Sequence, residues 1–218
     1  MLSAIVPTLN AAATLSDCLA ALDGADEIVV ADGGSTDSTR AIAEAAGARL
    51  VHGPKGRGVQ LRHGAEAARG DWLLFVHADT RLAPAWPAAA ARHLAAAPAR
   101  AACFRLRLDD PAWQARVIER GVSLRVRLLG LPYGDQGLLI SRALYDAAGG
   151  YAPLPLMEDV DLARRLGRRR IRQLDVEALT SAERWRRDGW WRRSARNLSI
   201  LARYRLGMTA ERAARVYD

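Results

Sequence analysis

The sequence has one lysine, two cysteines and two phenylalanines, and it contains no run of about 18 apolar residues. The lone Lys55 stands beside 31 arginines, which reads as codon bias and carries no function. Cys18 and Cys103 form neither a disulfide framework nor a CxxC metal site, so a reducing, cytoplasmic compartment is expected. The lack of a long apolar run argues against a transmembrane helix. The N-terminus lacks the basic region and apolar stretch of a signal peptide, and none is expected. Eighteen glycines and 9 prolines, without a period, exclude collagen-like and low-complexity chains. There is no internal repeat and no linker long enough to separate two domains. Helix-turn-helix, zinc and RNA-recognition motifs are missing, so no nucleic-acid partner is expected.

What remains is a chain of 218 residues, half of it apolar, with 43 alanines. That is enough for one domain with a sizeable core. The net charge of +8 is unevenly spread. Residues 1–163 are near neutral at −2, while residues 164–218 carry 16 basic and 6 acidic side chains. Such a segment suits an anionic partner, or is a solvated helical face.

Short apolar runs alternate with alanine-rich helical stretches. Strands are expected at Leu2–Val6, Glu27–Ala31, Arg49–His52 and Asp71–His77. Helices are expected at Ala13–Leu22, at Ser35–Ala46 with Ser35 or Thr36 as N-cap, and from the glycine-rich loop to about Ala68. This rhythm predicts an α/β fold with a mostly parallel sheet and helices on both faces, its ligand beyond the carboxyl ends of the strands. After residue 100 the pattern changes: a strand at Ala101–Leu108, a basic amphipathic helix at Trp113–Leu129, a strand at Gln136–Ser141 and a helix at Met157–Leu166. Residues 184–206, rich in Trp and Arg, are expected to be helical.

Polar residues gather where the strands end. Pro7-Thr8-Leu9-Asn10 closes the first strand. Asp32-Gly33-Gly34-Ser35-Thr36-Asp37 closes the second, where Asp32 could accept from a ribose hydroxyl or a base N–H, or could serve the helix dipole. Gly53-Pro54-Lys55-Gly56-Arg57-Gly58-Val59-Gln60 is neither a Walker loop nor a GxGxxG fingerprint. Its Lys55 and Arg57 before a helix still suit a diphosphate. His77-Ala78-Asp79-Thr80 ends the fourth strand, and a carboxylate there can hold a divalent metal. Downstream come Gly134-Asp135-Gln136-Gly137 and Met157-Glu158-Asp159-Val160-Asp161. Three carboxylates in four residues at a helix start repel one another, which is how a general base gains a raised pKa; an ordinary acidic first turn is the plainer reading.

In order and spacing these segments resemble glycosyltransferase family 2, with its nucleotide-sugar-binding GT-A fold, over Ile5 to about Trp185. The His77-Ala78-Asp79-Thr80 form and the Gly56–Ala65 loop are most similar to a small bacterial subfamily associated with radical-SAM/selenodomain proteins. The resemblance implies a GT-A domain over residues 1–183, its nucleotide-sugar half 1–100 and its acceptor half 101–183, followed by a basic helical extension at 184–218. It implies that Asp32, Pro7, Thr8 and Asn10 line the nucleoside pocket, with Gly34, Lys55, Arg57, Gln60 and Ala78 also on the donor. Asp79, with His77 in place of the usual first acid of the motif, would bind Mg²⁺ or Mn²⁺. Asp159, in the Glu158-Asp159 pair, would be the base that deprotonates the acceptor in an inverting displacement. Ala11 stands where an acid often follows the Asn, and His63 where Asn is common. Arg184-Trp185 lies where processive relatives carry an Arg-Trp pair. The expected partners are a nucleotide-sugar donor and an acceptor that could be lipid-linked. The alternative is a non-catalytic nucleotide-sugar or anion-binding protein on the same fold. For Trp185, Trp190 and Trp191 two readings stand: peripheral contact with the inner face of a membrane, or packing onto the core.

Overall fold

The structure is a computed structural model and describes residues 1–217. The first strand, β1 (Leu2–Thr8), is buried at all seven positions, as a strand covered on both faces must be. It is followed by α1 (Ala12–Ala20), β2 (Glu27–Asp32), α2 (Thr39–Ala45), β3 (Arg49–His52), α3 (Arg57–Ala67), β4 (Trp72–Phe75), β5 (Thr80–Leu82) and α4 (Trp86–Ala96). The second half contributes β6 (Ala101–Leu108), α5 (Trp113–Leu129), β7 (Leu138–Ser141), α6 (Arg142–Ala147), α7 (Glu158–Leu166), β8 (Ile171–Thr180), α8 (Glu183–Asp188), α9 (Trp190–Arg205) and α10 (Ala210–Tyr217).

All eight strands form one sheet in the order β3-β2-β1-β4-β7-β6-β8-β5. The β3-β2-β1-β4 run is parallel, and β7 enters antiparallel to both β4 and β6. The expected α/β architecture is present, but the halves divided at residue 100 interleave: β5 crosses the sheet to pair with β8. Buried side chains fill both faces, with Leu15, Leu19 and Trp86 on one side and Leu61, Tyr145 and Leu162 on the other. Among the described residues no helix is long and apolar enough to cross a membrane.

Several elements differ from the sequence reading. Helix α2 begins at Thr39, so Ser35 and Thr36 are not its cap. Their hydroxyls serve the preceding loop instead, Ser35 toward Asp32 and Thr36 toward Asn10. Strands β5 and β8 and helix α4 were not expected. The Trp- and Arg-rich segment is helical, but breaks at Gly189, whose φ of 83° favours glycine. It is also not a free extension: Ile200 and Leu201 of α9 share a buried cluster with Leu156, Val160 and Ala163. Both cysteines are buried thiols, pushed up to about 12 by burial.

One side chain latches the sheet below the site. Gln60, on the buried face of α3, donates from its amide to the carbonyl oxygens of Thr8 (2.5 Å) and Ala31 (3.0 Å). These carbonyls lie at the ends of β1 and β2. Gln60→Leu should cost on the order of 1–3 kcal/mol, because each carbonyl loses the amide's hydrogen bond, although the Thr8 oxygen keeps the Gly33 N–H. Urea unfolding checks this; a loss under about 0.5 kcal/mol would show that the latch does not hold the strand ends.

Candidate active site

The site is built where β1, β2 and β4 end, and the registers explain why. Thr8 pairs with Asp32, so the loops after β1 and β2 emerge at one level. Phe75 pairs with Leu138 across the antiparallel β4–β7 ladder, so the residues just after β4 lie beside those just before β7. Residues 77–79 and 134–136 are therefore neighbours, although about 55 positions separate them.

The first two loops are tied together by their own polar groups. Asp32 is fully buried, and its carboxylate accepts from Thr8 Oγ1, Gly34 N, Ser35 N and Ser35 Oγ. Burial alone would push this carboxyl up, but the hydrogen bonds from Ser35, Thr8 and Gly34 outweigh it and hold it below the usual range. Ser35 Oγ also accepts from Asn10 N, and Asn10 Oδ1 accepts from Thr36 N at 2.9 Å. Asn10 has a left-handed φ of 52°, which turns the chain out of β1. The Asp32 oxygens are thus already occupied by the loop they shape, and the same is true of the Gln60 amide. Pro7 and Ala78 are buried beneath, while Gly34 and Lys55 are exposed.

Opposite these loops, α3 and α7 meet at their N-termini. The first turn of α3 lies so near the 152–154 segment that a Cβ on Gly58 would sit 2.3 Å from the Ala152 carbonyl oxygen. Arg57, one residue earlier, pairs with the fully buried carboxylate of Glu158. Burial raises the Glu158 carboxyl; Arg57 pulls it down and the neighbouring Asp159 pushes it up again, leaving it above the ordinary value. The next residue, Asp159, is only partly buried, and its Oδ2 accepts from Gly134 N at 2.7 Å. Gly134 in turn must be glycine, since a Cβ there would lie 2.2 Å from His77 Nε2. The His77 ring is held neutral, well below its ordinary pKa, by burial and by Arg57 and Arg184.

A crevice of about 410 Å³ collects these parts. Of the residues singled out from sequence, Asn10, Ala11, Arg57, His77, Asp79 and Asp159 line it, as do both members of the Arg184-Trp185 pair. Pro7, Thr8, Asp32, Gly34, Lys55, Gln60, Ala78 and Glu158 are not on its walls. Glu158 lies beneath it as the ion-pair partner of Arg57. Asp135, to which the sequence reading gave no role, is on the wall. Burial pushes its carboxyl up to about 6; Arg125 opposes this, and Asp159 and Asp79 add to it. Its signal in the sequence was the pair of flanking glycines just before a strand. Tyr133, Asn197 and Ile200 complete the far wall, so α9 belongs to the site.

The donor set is one of hard oxygens, with the exposed Asp79 at its rim. Among the described residues no three His, Cys, Asp or Glu side chains could cage a metal. Mg²⁺ bound with a phosphate substrate needs only one or two protein carboxylates, its other positions being phosphate oxygens and water. Asp79, with the Asp135 Oδ1 that has no hydrogen-bond partner among the described residues, fits that kind of site.

Known proteins share parts of this sequence and this fold. A "PGL/p-HBAD biosynthesis glycosyltransferase" of Mycobacterium bovis (strain BCG / Pasteur 1173P2) is 43% identical over 93 residues, which are 38% of this chain and 36% of that protein. The match thus spans about a third of that relative. The structure of glucosyl-3-phosphoglycerate synthase from Mycobacterium tuberculosis with Mg²⁺ and uridine-diphosphate superimposes with a TM-score of 0.60 at 25% identity, over 81% of this chain and 69% of that one. Staphylococcus aureus TarS with UDP-GlcNAc shares the fold, with a TM-score of 0.64 at 18% identity over 83% of this chain and 58% of that one. The family model for glycosyl transferase family 2 matches residues 3–150. With that match over more than half its length, on a GT-A fold whose strand ends open into one acidic and basic crevice, the chain belongs to glycosyltransferase family 2.

Proposed function

We propose that the chain transfers a sugar from a nucleoside-diphosphate sugar to an acceptor hydroxyl, with inversion, using Mg²⁺ or Mn²⁺ held through Asp79. The observation that carries this reading is the Asp159 carboxylate, oriented by the Gly134 N–H and facing the same crevice as Asp79 and Arg57. The Mg²⁺ and uridine-diphosphate in the mycobacterial synthase support the class of donor and metal.

In this reading Asn10 and the loop shaped by Asp32 receive the nucleoside, with Pro7, Thr8 and Gly34 behind it. Asp32 and Gln60 act on the nucleotide through the backbone they hold. Arg57 and Lys55 face the diphosphate, and His77 and Ala78 set the position of Asp79. A bound cation would neutralise the diphosphate as negative charge builds on its leaving oxygen. Asp159 takes the proton of the acceptor hydroxyl. The acceptor oxygen then bonds to the anomeric carbon from the face opposite the diphosphate. The bond from that carbon to the diphosphate oxygen breaks, and its electron pair leaves with the nucleoside diphosphate. General-base catalysis of this kind supplies about 10²–10⁴-fold, and fixed charge around the leaving group is usually the larger contribution.

A panel of nucleotide sugars, with and without Mn²⁺, tests the function. Release of nucleoside diphosphate from one or two members, dependent on the metal, is the expected outcome. Tight binding without any turnover would favour the non-catalytic reading. The metal assignment has its own test. Asp79→Ala should weaken Mn²⁺-dependent binding of nucleoside diphosphate by roughly tenfold to 100-fold, the value of a charge-assisted contact, while the melting temperature stays near that of the wild type. Unchanged affinity would remove Asp79 from the site.

Asp135 gives a pH signature. Its folded-state pKa, near 6, lies above its ordinary value of 3.8, so the unfolded chain releases this proton first as pH rises. Its contribution to stability is full below about pH 4, is lost between about 4 and 6, and stays lost above. Relative to the wild type, Asp135→Asn should gain stability across that window, by on the order of 2–3 kcal/mol at neutral pH. Parallel stability–pH curves for the two proteins would contradict the assignment.

A further inference from the structure

Helix α5 carries an apolar stripe on its solvent side. At 100° per residue, Trp113, Val117, Arg120, Leu124, Arg127 and Leu128 fall within an arc of about 100°. Its centre lies roughly opposite Ala115, Glu119 and Val126, the residues that face the core. Trp113 is 64% exposed, Leu124 54% and Leu128 53%. An amphipathic surface helix normally keeps such residues for its buried side, so this helix is apolar on two faces.

The stripe continues onto α9. Trp191 is exposed, and its ring lies 5.7 Å from that of Trp113, centroid to centroid. Trp190 and Trp185 pack instead against the buried cluster of Leu106, Leu108, Ala115 and Ala182. Of the three C-terminal tryptophans, then, only Trp191 is largely exposed, Trp185 and Trp190 being half-buried, and most of the exposed apolar area belongs to α5.

Charge identifies the occupant. The exposed side of α5 bears Arg120 and Arg127 and no acid, since Glu119, its one carboxylate, is turned inward to Arg107 and Arg116. Among the described residues Arg120 and Arg127 have no carboxylate partner. They border a groove of about 480 Å³ between α5, β6 and β8, where Arg105 and Arg107 are paired with Glu177 and Glu119, so Arg120 and Arg127 are the arginines that no carboxylate there balances. An isologous contact between two copies would bring these arginines toward one another, at a cost in like-charge repulsion.

We propose that the α5 stripe, with Trp191, docks the protein on an anionic lipid surface. Trp113, Leu124 and Leu128 enter the boundary between headgroups and acyl chains, and Arg120 and Arg127 meet lipid phosphates. The proposal is independent of the transfer reaction: it needs only the surface, and it places chiefly on α5 the membrane contact that one of the two sequence readings gave to Trp185, Trp190 and Trp191.

Flotation with phosphatidylcholine vesicles, with and without phosphatidylglycerol, tests it. The wild type should float with the anionic vesicles at low salt, bind the neutral ones far less, and lose most binding as salt is raised. Leu124→Glu/Leu128→Glu should weaken apparent affinity at least about tenfold, from two lost apolar insertions. Arg120→Ala/Arg127→Ala, which leaves the apolar stripe intact, should reduce the preference for anionic lipid. Circular dichroism establishes that both variants are folded. Failure of the wild type to float at low salt overturns the proposal. So does undiminished flotation of both variants, or a wild-type dimer that Leu124→Glu converts to a monomer.

Discussion

The site hangs on one buried ion pair. Arg57 opens α3 and Glu158 opens α7, and their pairing joins two helices from opposite halves of the chain at their N-termini. Because Glu158 is fully buried, it has no water to replace its partner. Removing one side of such a pair leaves an uncompensated charge, which costs about 3–5 kcal/mol. The pairing also sets the next residue. With Glu158 turned inward, the helical step turns Asp159 toward the crevice, where the Gly134 N–H holds it. Adjacent carboxylates thereby differ in their environments: the first holds the helices together, and the second is left facing the crevice.

The antiparallel strand β7 is the second constraint. An all-parallel sheet would keep 134–136 away from 77–79. Inserting β7 between β4 and β6 brings Gly134 and Asp135 against His77 and Asp79. The small residue at 134 is then obligatory, since the His77 ring occupies the space of its Cβ. The crevice is closed on its far side by α9, whose Ile200 is anchored in the cluster formed with α7. The basic C-terminal segment therefore contributes a wall to the site through the same packing that fixes the acidic helix.

The first four strands were legible because parallel, doubly covered strands are written as unbroken apolar runs, such as Leu2–Val6, and because polar residues then cluster at their ends. Strand β8 was also written in the sequence: Leu174, Val176, Ala178 and Thr180 alternate inward, but Asp175 and Glu177 between them obscure the pattern. Those charges are at home on the exposed face, both pairing with Arg105 of β6. Of the site, Asp79, Arg57, Asn10 and Asp159 were visible because their residue types and positions carry chemistry. Asp32 and Gln60 were visible too, but not their use: only coordinates show that their polar atoms are spent on the chain. Asp135 was marked only by its flanking glycines, and Asn197 not at all, since the place of each in the crevice depends on long-range packing that no local pattern encodes.

The division of labour between two neighbouring carboxylates is the claim most open to direct test. Glu158→Gln and Asp159→Asn should be compared for unfolding free energy, nucleoside diphosphate affinity and turnover of the donor that the panel selects. The account predicts that Asp159→Asn keeps its stability and keeps affinity within a few-fold, yet turns over at least about 10²-fold more slowly. Glu158→Gln should instead lose stability, since the Arg57 pairing is broken. Full turnover in Asp159→Asn, or selective loss of turnover with unchanged stability in Glu158→Gln, would contradict it.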